Sequence, residues 1–153
     1  YHAWRLTSGK ITREYLYGKK AFSGISMLKL TVPAGAEGQL YLQTYKHKDG
    51  YKGVPGRTLL HLIKGQTYKI SFIAASEDGE GRMKIMLKDA KSMNSIYDSS
   101  EADGEWLKIG KEPRTYTKIY THNAETEMDA RLEFDIGSKQ QILYLDKVDL
   151  IRH

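Results

Sequence analysis

The sequence contains no cysteine among its 153 residues. Disulfide scaffolds, thiolate zinc sites and cysteine-based catalysis are therefore excluded. No stretch approaches the roughly 18 consecutive apolar residues that a membrane-spanning helix needs, so we expect no membrane span. Proline is also scarce, with three residues, whereas glycine (14) and tyrosine (11) are abundant. The length predicts one domain, and a chain that starts at Tyr1 without Met is interpreted as a piece of a longer protein.

The aromatic and charged residues indicate a surface that meets polar partners. Eleven tyrosines and two tryptophans stand against only three phenylalanines, so many rings are expected to keep a polar edge near water. Lysine and arginine number 24 against 19 acidic residues, which gives a net charge of +5. Because acids and bases are interspersed, this excess favours an anionic or neutral partner without indicating nucleic acid.

Short runs with apolar residues at every second position predict β-strands. Glycine-containing turns separate these runs and supply the backbone angles that tight bends need. The stretch 83–96 also fits a helical stripe, but the alternation of Met83, Ile85 and Leu87 favours a strand, and 89–105 is predicted to be a long polar loop. The pattern predicts an all-β fold, an antiparallel β-sandwich. The predicted strands are 26–32, 39–45, 67–75, 129–136 and 143–151.

Three motifs occur in a characteristic order. Ala21-Phe22-Ser23-Gly24 precedes the strand 27–30, the segment 62–72 contains a Gly-x-Thr-Tyr strand, and 130–137 is followed by the closing strand 143–150. This order resembles jelly-roll carbohydrate-binding modules of the family 4, 9, 16 and 22 type over nearly the whole chain. The resemblance implies an antiparallel jelly roll that binds polysaccharide without catalysing a reaction. It also implies a parent enzyme that is secreted from a bacterium and degrades glycans.

The resemblance further implies a structural calcium ion. In such modules the Asp of the last strand, here Asp146, helps to hold the ion together with a Glu of the first strand and backbone carbonyls. Calcium takes about six to eight oxygen ligands. This sequence departs from the family in two ways: the first strand, which ends in a Phe-Glu pair, is missing before Trp4, and Lys147 stands where Asn is usual. The alternative is that Asp146 pairs only with a loop amide or a lysine.

Several strands carry side chains suited to sugars, which stack their C–H faces on aromatic rings and need paired donors and acceptors for their hydroxyls. We predict that these side chains converge on the hollow face of the sandwich, although ordinary solvated strand faces would give the same pattern. The cations among them suggest a uronic-acid or sulfated polymer, with neutral polymers left open. The predicted carbohydrate-binding residues are Trp4, Tyr41, Gln43, Tyr45, Arg82, Lys84, Trp106, Arg114, Tyr116, Lys118 and Tyr120.

Other functions fit the sequence less well. A jelly-roll polysaccharide lyase would use residues such as Tyr41, Gln43, His47 and Arg114, but the chain is short for such an enzyme and matches none of its strand motifs. A nucleic-acid-binding domain is disfavoured because no RNP-like motif is present and the charge is modest. A ligand-free spacer would share the fold. We therefore expect an extracellular, non-catalytic module that keeps an attached catalytic domain on its polymer by tethering.

Overall fold

The structure is a computed structural model that describes residues 4–42 and 60–153. Within these residues the chain forms twelve strands, one short helix and one turn of 3-10 helix at Gly18–Lys20. The helix, α1, is Ser99–Asp103. The strands are β1 Trp4–Leu6, β2 Thr12–Tyr17, β3 Ser26–Val32, β4 Gln39–Leu42, β5 Leu60–Leu62, β6 Thr67–Ser76, β7 Gly81–Asp89, β8 Ser95–Asp98, β9 Leu107–Ile109, β10 Arg114–Thr121, β11 Glu127–Asp135 and β12 Gln141–Arg152.

The strands form two antiparallel sheets. The seven-stranded sheet has the order β1-β4-β11-β7-β8, with β5 also paired to β11 and β9 also paired to β7. The five-stranded sheet has the order β10-β6-β12-β3-β2. Most neighbours within each sheet come from distant parts of the sequence, as the pairing of β4 with β11 shows, whereas β2–β3 and β7–β8 are consecutive. This arrangement confirms the predicted antiparallel β-sandwich. No helix in the described part of the chain is long and apolar enough to cross a bilayer.

The core lies between the two sheets and is formed by the apolar half of each alternating strand. Phe72 on β6 and Phe134 on β11 meet across the sheets with ring centroids 5.1 Å apart in an edge-to-face arrangement. Both rings are fully buried, as are Leu30, Ile85 and Leu143. Burial of each such side chain contributes about 1.5–3 kcal/mol, so these strands, rather than the loops, hold the sandwich together.

Most of the predicted strands are present with small shifts at their ends. β3 has the predicted bounds, and 83–89 is part of a strand rather than a helix, as the alternation favoured. β4 is described only to Leu42, so the rest of the predicted strand 39–45 lies outside the described residues.

The predicted polar loop 89–105 is wrong, because it contains β8 and α1. Local capping explains the helix: Asp98 accepts a hydrogen bond from the backbone N–H of Ser100 at 2.9 Å, and Gly104 ends the helix with a φ of 74°. The buried Ser99 hydroxyl accepts a hydrogen bond from the N–H of Ile85 at 2.9 Å. This short segment is therefore fastened to the edge of the seven-stranded sheet.

Candidate functional site

The surface of the seven-stranded sheet that faces away from the core, the outer face, carries most of the polar side chains of interest. Strand register sets their positions: Glu133 lies between Tyr41 and Met86, and Asp135 lies between Gln39 and Lys84. We define the outer face by the outward residues of three neighbouring strands, which are Gln39 and Tyr41 on β4, Arg131, Glu133 and Asp135 on β11, and Arg82, Lys84, Met86 and Lys88 on β7.

The cations of the outer face are largely neutralised within the chain. Glu133 is fully buried and pairs with Arg131, and its Oε2 lies 2.9 Å from the Nζ of Lys88. The second contact is an ion pair without hydrogen-bond alignment, because Oε2 has no hydrogen-bond partner. Lys84 donates to Asp98 Oδ2 at 2.7 Å. The basic row on β7 is thus a paired network rather than an open cationic stripe.

Asp98 joins this network to helix α1. Burial opposes ionisation of its carboxyl, but hydrogen bonds from Lys84 and Ser100 outweigh that effect and lower the pKa of Asp98 below its ordinary value. Its Oδ1 accepts from both the backbone N–H and the hydroxyl of Ser100. Asp98 is therefore a charged anchor at the border of the outer face.

Two aromatic rings lie on the outer face among these charges. The guanidinium of Arg131 lies 3.9 Å from the ring centroid of Tyr41. Arg82 and Lys84 lie 4.8 Å and 5.1 Å from the ring centroid of Trp106, which is partly exposed. Tyr41 lies on β4 and Trp106 contacts side chains of β7, so β11 lies between the two rings. Cation–π contacts fix both rings in place.

Gly137 provides the space in which Trp106 sits. A Cβ atom at Gly137 would lie 3.2 Å from Cζ3 of Trp106, closer than ordinary van der Waals contact. The φ of Gly137 is 72°, in the left-handed region that side chains disfavour. The sequence showed no sign of this contact, because the two residues lie in different loops and neither forms part of a shared motif.

Four of the predicted binding residues form one row on β10: Arg114, Tyr116, Lys118 and Tyr120. For Tyr116 the prediction of an exposed binding side chain is wrong. Tyr116 pairs with Phe72 of β6 and stacks on it, with ring centroids 5.6 Å apart, and Tyr116 is only 6% exposed. The alternation exists, but it has the opposite phase: Thr115, Thr117 and Ile119 face outward instead. The register of β10 with β6 places the tyrosine phase on the inner side.

The rest of this row closes one edge of the sandwich. Tyr120 lies 4.9 Å from Tyr97 between ring centroids, and its hydroxyl forms a 2.8 Å hydrogen bond with Nδ1 of the buried His122. Lys118 forms an ion pair with Asp103 of α1. Arg114 lies 4.7 Å above the ring of Tyr116. Tyr116 and Tyr41 are therefore on different sheets and do not converge, and Tyr41 and Arg114 do not form a common lyase-like site.

The remaining predicted residues have separate outcomes. Trp4 is partly buried and packs on Phe134 with ring centroids 5.8 Å apart, so it closes the sandwich at β1. Gln43 and Tyr45 lie outside the described residues, as does His47. Of the predicted set, the structure brings together Arg82, Lys84 and Trp106, with Tyr41 on the same face.

Asp146, the predicted calcium ligand, is buried and bound to a neighbouring loop. Its Oδ2 accepts from the backbone N–H of Ser23 at 2.8 Å, and its Oδ1 accepts from the Ser23 hydroxyl at 3.2 Å. Around it, the described residues offer no group of three acidic or histidine side chains suited to a metal. The carboxylate of Asp146 by itself supplies too few oxygen ligands for a calcium site. The ion stays a prediction, which melting temperatures measured with calcium chloride and with EDTA would test.

Lys147, next to Asp146, has a φ of 49° at a bulge in β12. Asn tolerates this left-handed conformation better than most residues do. Lysine at position 147, in place of the family's usual Asn, therefore makes this local backbone conformation less favourable.

By sequence, the chain matches no family model and no curated protein. By structure, it is similar to the enzymatically active domain of tailspike protein 4 of bacteriophage CBA120, with 12% identity over 98% of this chain and a TM-score of 0.62. It is also similar to a family 4 carbohydrate-binding module, with 16% identity over 98% of this chain, 86% of that one and a TM-score of 0.61.

A third similar structure is the CBM22-1–GH10 portion of endo-1,4-β-D-xylanase 10B from Clostridium thermocellum, complexed with xylohexaose. It shares 13% identity over 98% of this chain, with a TM-score of 0.60. This chain spans 26% of that xylanase chain and 19% of the tailspike chain. At these identities the likeness defines the fold, which is the jelly roll of carbohydrate-binding modules.

Proposed function

We propose that this chain is a non-catalytic module that binds a polysaccharide on the outer face, with Trp106 and Tyr41 as the main contacts. The observation that carries the proposal is the pair of aromatic rings on one sheet face, each held by cationic side chains. Rings fixed in advance lose little side-chain freedom when a sugar stacks on them.

Polar groups between the rings suit sugar hydroxyls. The Oε1 atom of Gln39 accepts a 2.9 Å hydrogen bond from the Thr7 hydroxyl, which orients the amide and leaves its NH₂ group to donate. Asp135 is partly buried, and its Oδ1 accepts from the N–H of Gly137 at 3.1 Å. Its second oxygen is an acceptor for a hydroxyl. A shallow site of this kind binds with an affinity on the order of micromolar to millimolar.

The proposal includes tethering of an attached catalytic domain outside the cell. The similar xylanase structure combines a CBM22-1 module with a GH10 module, and the likeness to carbohydrate-binding modules supports the same arrangement here. The gain would come from a raised local concentration of the catalytic domain on its polymer.

Affinity electrophoresis of Trp106→Ala and Tyr17→Ala against a panel of polysaccharides tests the proposal. Tyr17 is a matched control, because it is 66% exposed on β2 of the other sheet. We expect Trp106→Ala to weaken binding by about tenfold or more and Tyr17→Ala by less than about twofold. Trp106→Phe should retain part of the affinity, which separates loss of a ring from loss of folding.

Unchanged retardation of Trp106→Ala on a polymer that the wild type binds would refute the outer face as the site. Lack of retardation on every polymer would instead favour the ligand-free spacer.

A further inference from the structure

A pocket opens at one end of the sandwich, beside the outer face. It has a volume of about 730 Å³, within the range of about 300–1,000 Å³ typical of small-ligand sites. It lies where the β6–β7 hairpin, the loop between β9 and β10, and the loop before β12 meet. We call it the end pocket, and its charged lining residues are Glu80, Arg82, Lys108, Lys111, Glu112, Arg114 and Lys139.

Three of the five cations that line the end pocket have no acidic partner among the described residues. In the described part of the chain, no carboxylate lies within 4 Å of the charged groups of Arg82, Lys111 or Arg114. The other two are partly neutralised: Lys139 is 3.7 Å from Asp78 and donates to the carbonyl of Glu80, and Lys108 is 3.8 Å from Glu105. The end pocket therefore keeps an unbalanced positive charge.

The two arginines are held in place by aromatic rings rather than by acids. Arg82 lies over Trp106 and Arg114 over Tyr116, at 4.8 Å and 4.7 Å from the ring centroids. A guanidinium stacked in this way keeps its N–H groups free for a carboxylate or sulfate and loses little freedom on binding it. Clustered unpaired cations cost free energy unless an anion binds between them.

We propose that the end pocket binds the carboxylate or sulfate of an acidic sugar in the polymer that crosses Trp106. Arg82 belongs to both sites, since it lines the end pocket and contacts the Trp106 ring. Glu80 and Glu112 are exposed at the end pocket and serve as acceptors for sugar hydroxyls. This inference rests on the proposed function and names the class of polymer that it requires.

The test compares charged polymers with their own neutral forms. Polygalacturonate and alginate are run against their carboxyl-reduced forms, and dextran sulfate against dextran, in affinity electrophoresis with wild type, Lys111→Glu and Lys19→Glu. Lys111 is exposed in a loop, so its substitution should leave folding intact. Lys19→Glu makes the same charge change in the turn after β2, at the opposite end of the five-stranded sheet.

We expect wild type to bind a charged polymer more tightly than its neutral form. Lys111→Glu should weaken that binding by about tenfold and leave binding of the neutral form unchanged. Lys19→Glu should change neither by more than about twofold. The polygalacturonate and dextran sulfate arms then distinguish a carboxylate from a sulfate.

The remaining outcomes would overturn the inference. Equal binding of charged and neutral forms with no effect of Lys111→Glu would refute it, while Trp106-dependent binding would still support the proposed function. Equal losses in the two charge variants would indicate net charge rather than the end pocket. Binding of oligodeoxythymidylate as tightly as of any polysaccharide would indicate a nucleic-acid partner. A lack of binding to every polymer would refute both proposals.

Discussion

The outer face and the end pocket contain the same kinds of cationic residue in opposite electrostatic states. On the outer face, Lys84, Lys88 and Arg131 each pair with a buried acid. In the end pocket, Arg114 and Lys111 have no such partner among the described residues. The comparison shows that a basic sequence pattern identifies an anion site only where the chain does not itself supply the anion.

The largest expected effect comes from breaking the outer-face network at Glu133. Glu133→Gln leaves two partly buried cations without their buried acid, which should lower the free energy of unfolding by about 3 kcal/mol. Urea unfolding measures this loss of stability. Glu112→Gln, at the end pocket, removes an exposed acid and should change stability by less than about 0.5 kcal/mol. Similar losses in both variants would contradict the distinction between the two regions.

Gly137→Ala tests how the Trp106 ring is held between the two regions. It combines left-handed backbone strain with contact against the indole, and we expect a stability loss of about 1–3 kcal/mol together with weaker polymer binding. Gly65→Ala is the control, because Gly65 has a φ of 84° and nothing within 4 Å of an added Cβ. If both variants bind polymer as wild type does, the position of the ring does not depend on Gly137.

Acid should weaken the border of the outer face through Asp98. Because the pKa of Asp98 is lowered on folding from its ordinary value of 3.8, its ion pair with Lys84 stabilises the protein above that value and is lost as the pH falls through the folded-state pKa. Asp98→Asn should cost about 1–2 kcal/mol at pH 7 and flatten the decline in stability from pH 5 to pH 2. Parallel pH profiles for wild type and variant would contradict this assignment.

The smallest expected effect concerns the unpaired cations of the end pocket. Without ligand, Lys111→Glu should raise the free energy of unfolding at low salt, by no more than about 0.5 kcal/mol, because it relieves repulsion among like charges. The gain should disappear in 0.5 M sodium chloride, where the screening length falls to roughly 4 Å. A loss of stability at low salt would mean that Lys111 already has an acidic partner.

The sequence predicted the fold better than the site, for a definable reason. Alternation predicts that a strand is half-buried, but it does not say which half is inside when both contain plausible core residues. On β6 one phase is much more apolar than the other, so the alternation places Phe72 inside. On β10 Tyr116 competes with Ile119, and only the pairing with β6 places the tyrosine inside.

Two other features could not be predicted from the sequence: a strand with little apolar alternation, and contacts between distant segments. β2 has little apolar alternation and is largely exposed, so Thr12–Tyr17 gave no strand signal. Trp106 is among the predicted binding residues, but its contact with Gly137 depends on how two loops meet. The ion pairs of Glu133 likewise depend on the register of β11 with β7.

The strands β7 and β11 carry core side chains on one surface and the candidate recognition side chains on the other. Their inward residues are fixed by packing against the opposite layer, whereas most outward residues contact only their neighbours and solvent. Substitutions that change the outer face are therefore separable from those that preserve the scaffold. The same backbone is open to repeated change of specificity, provided that the acid buried beneath the outward cations is replaced together with them.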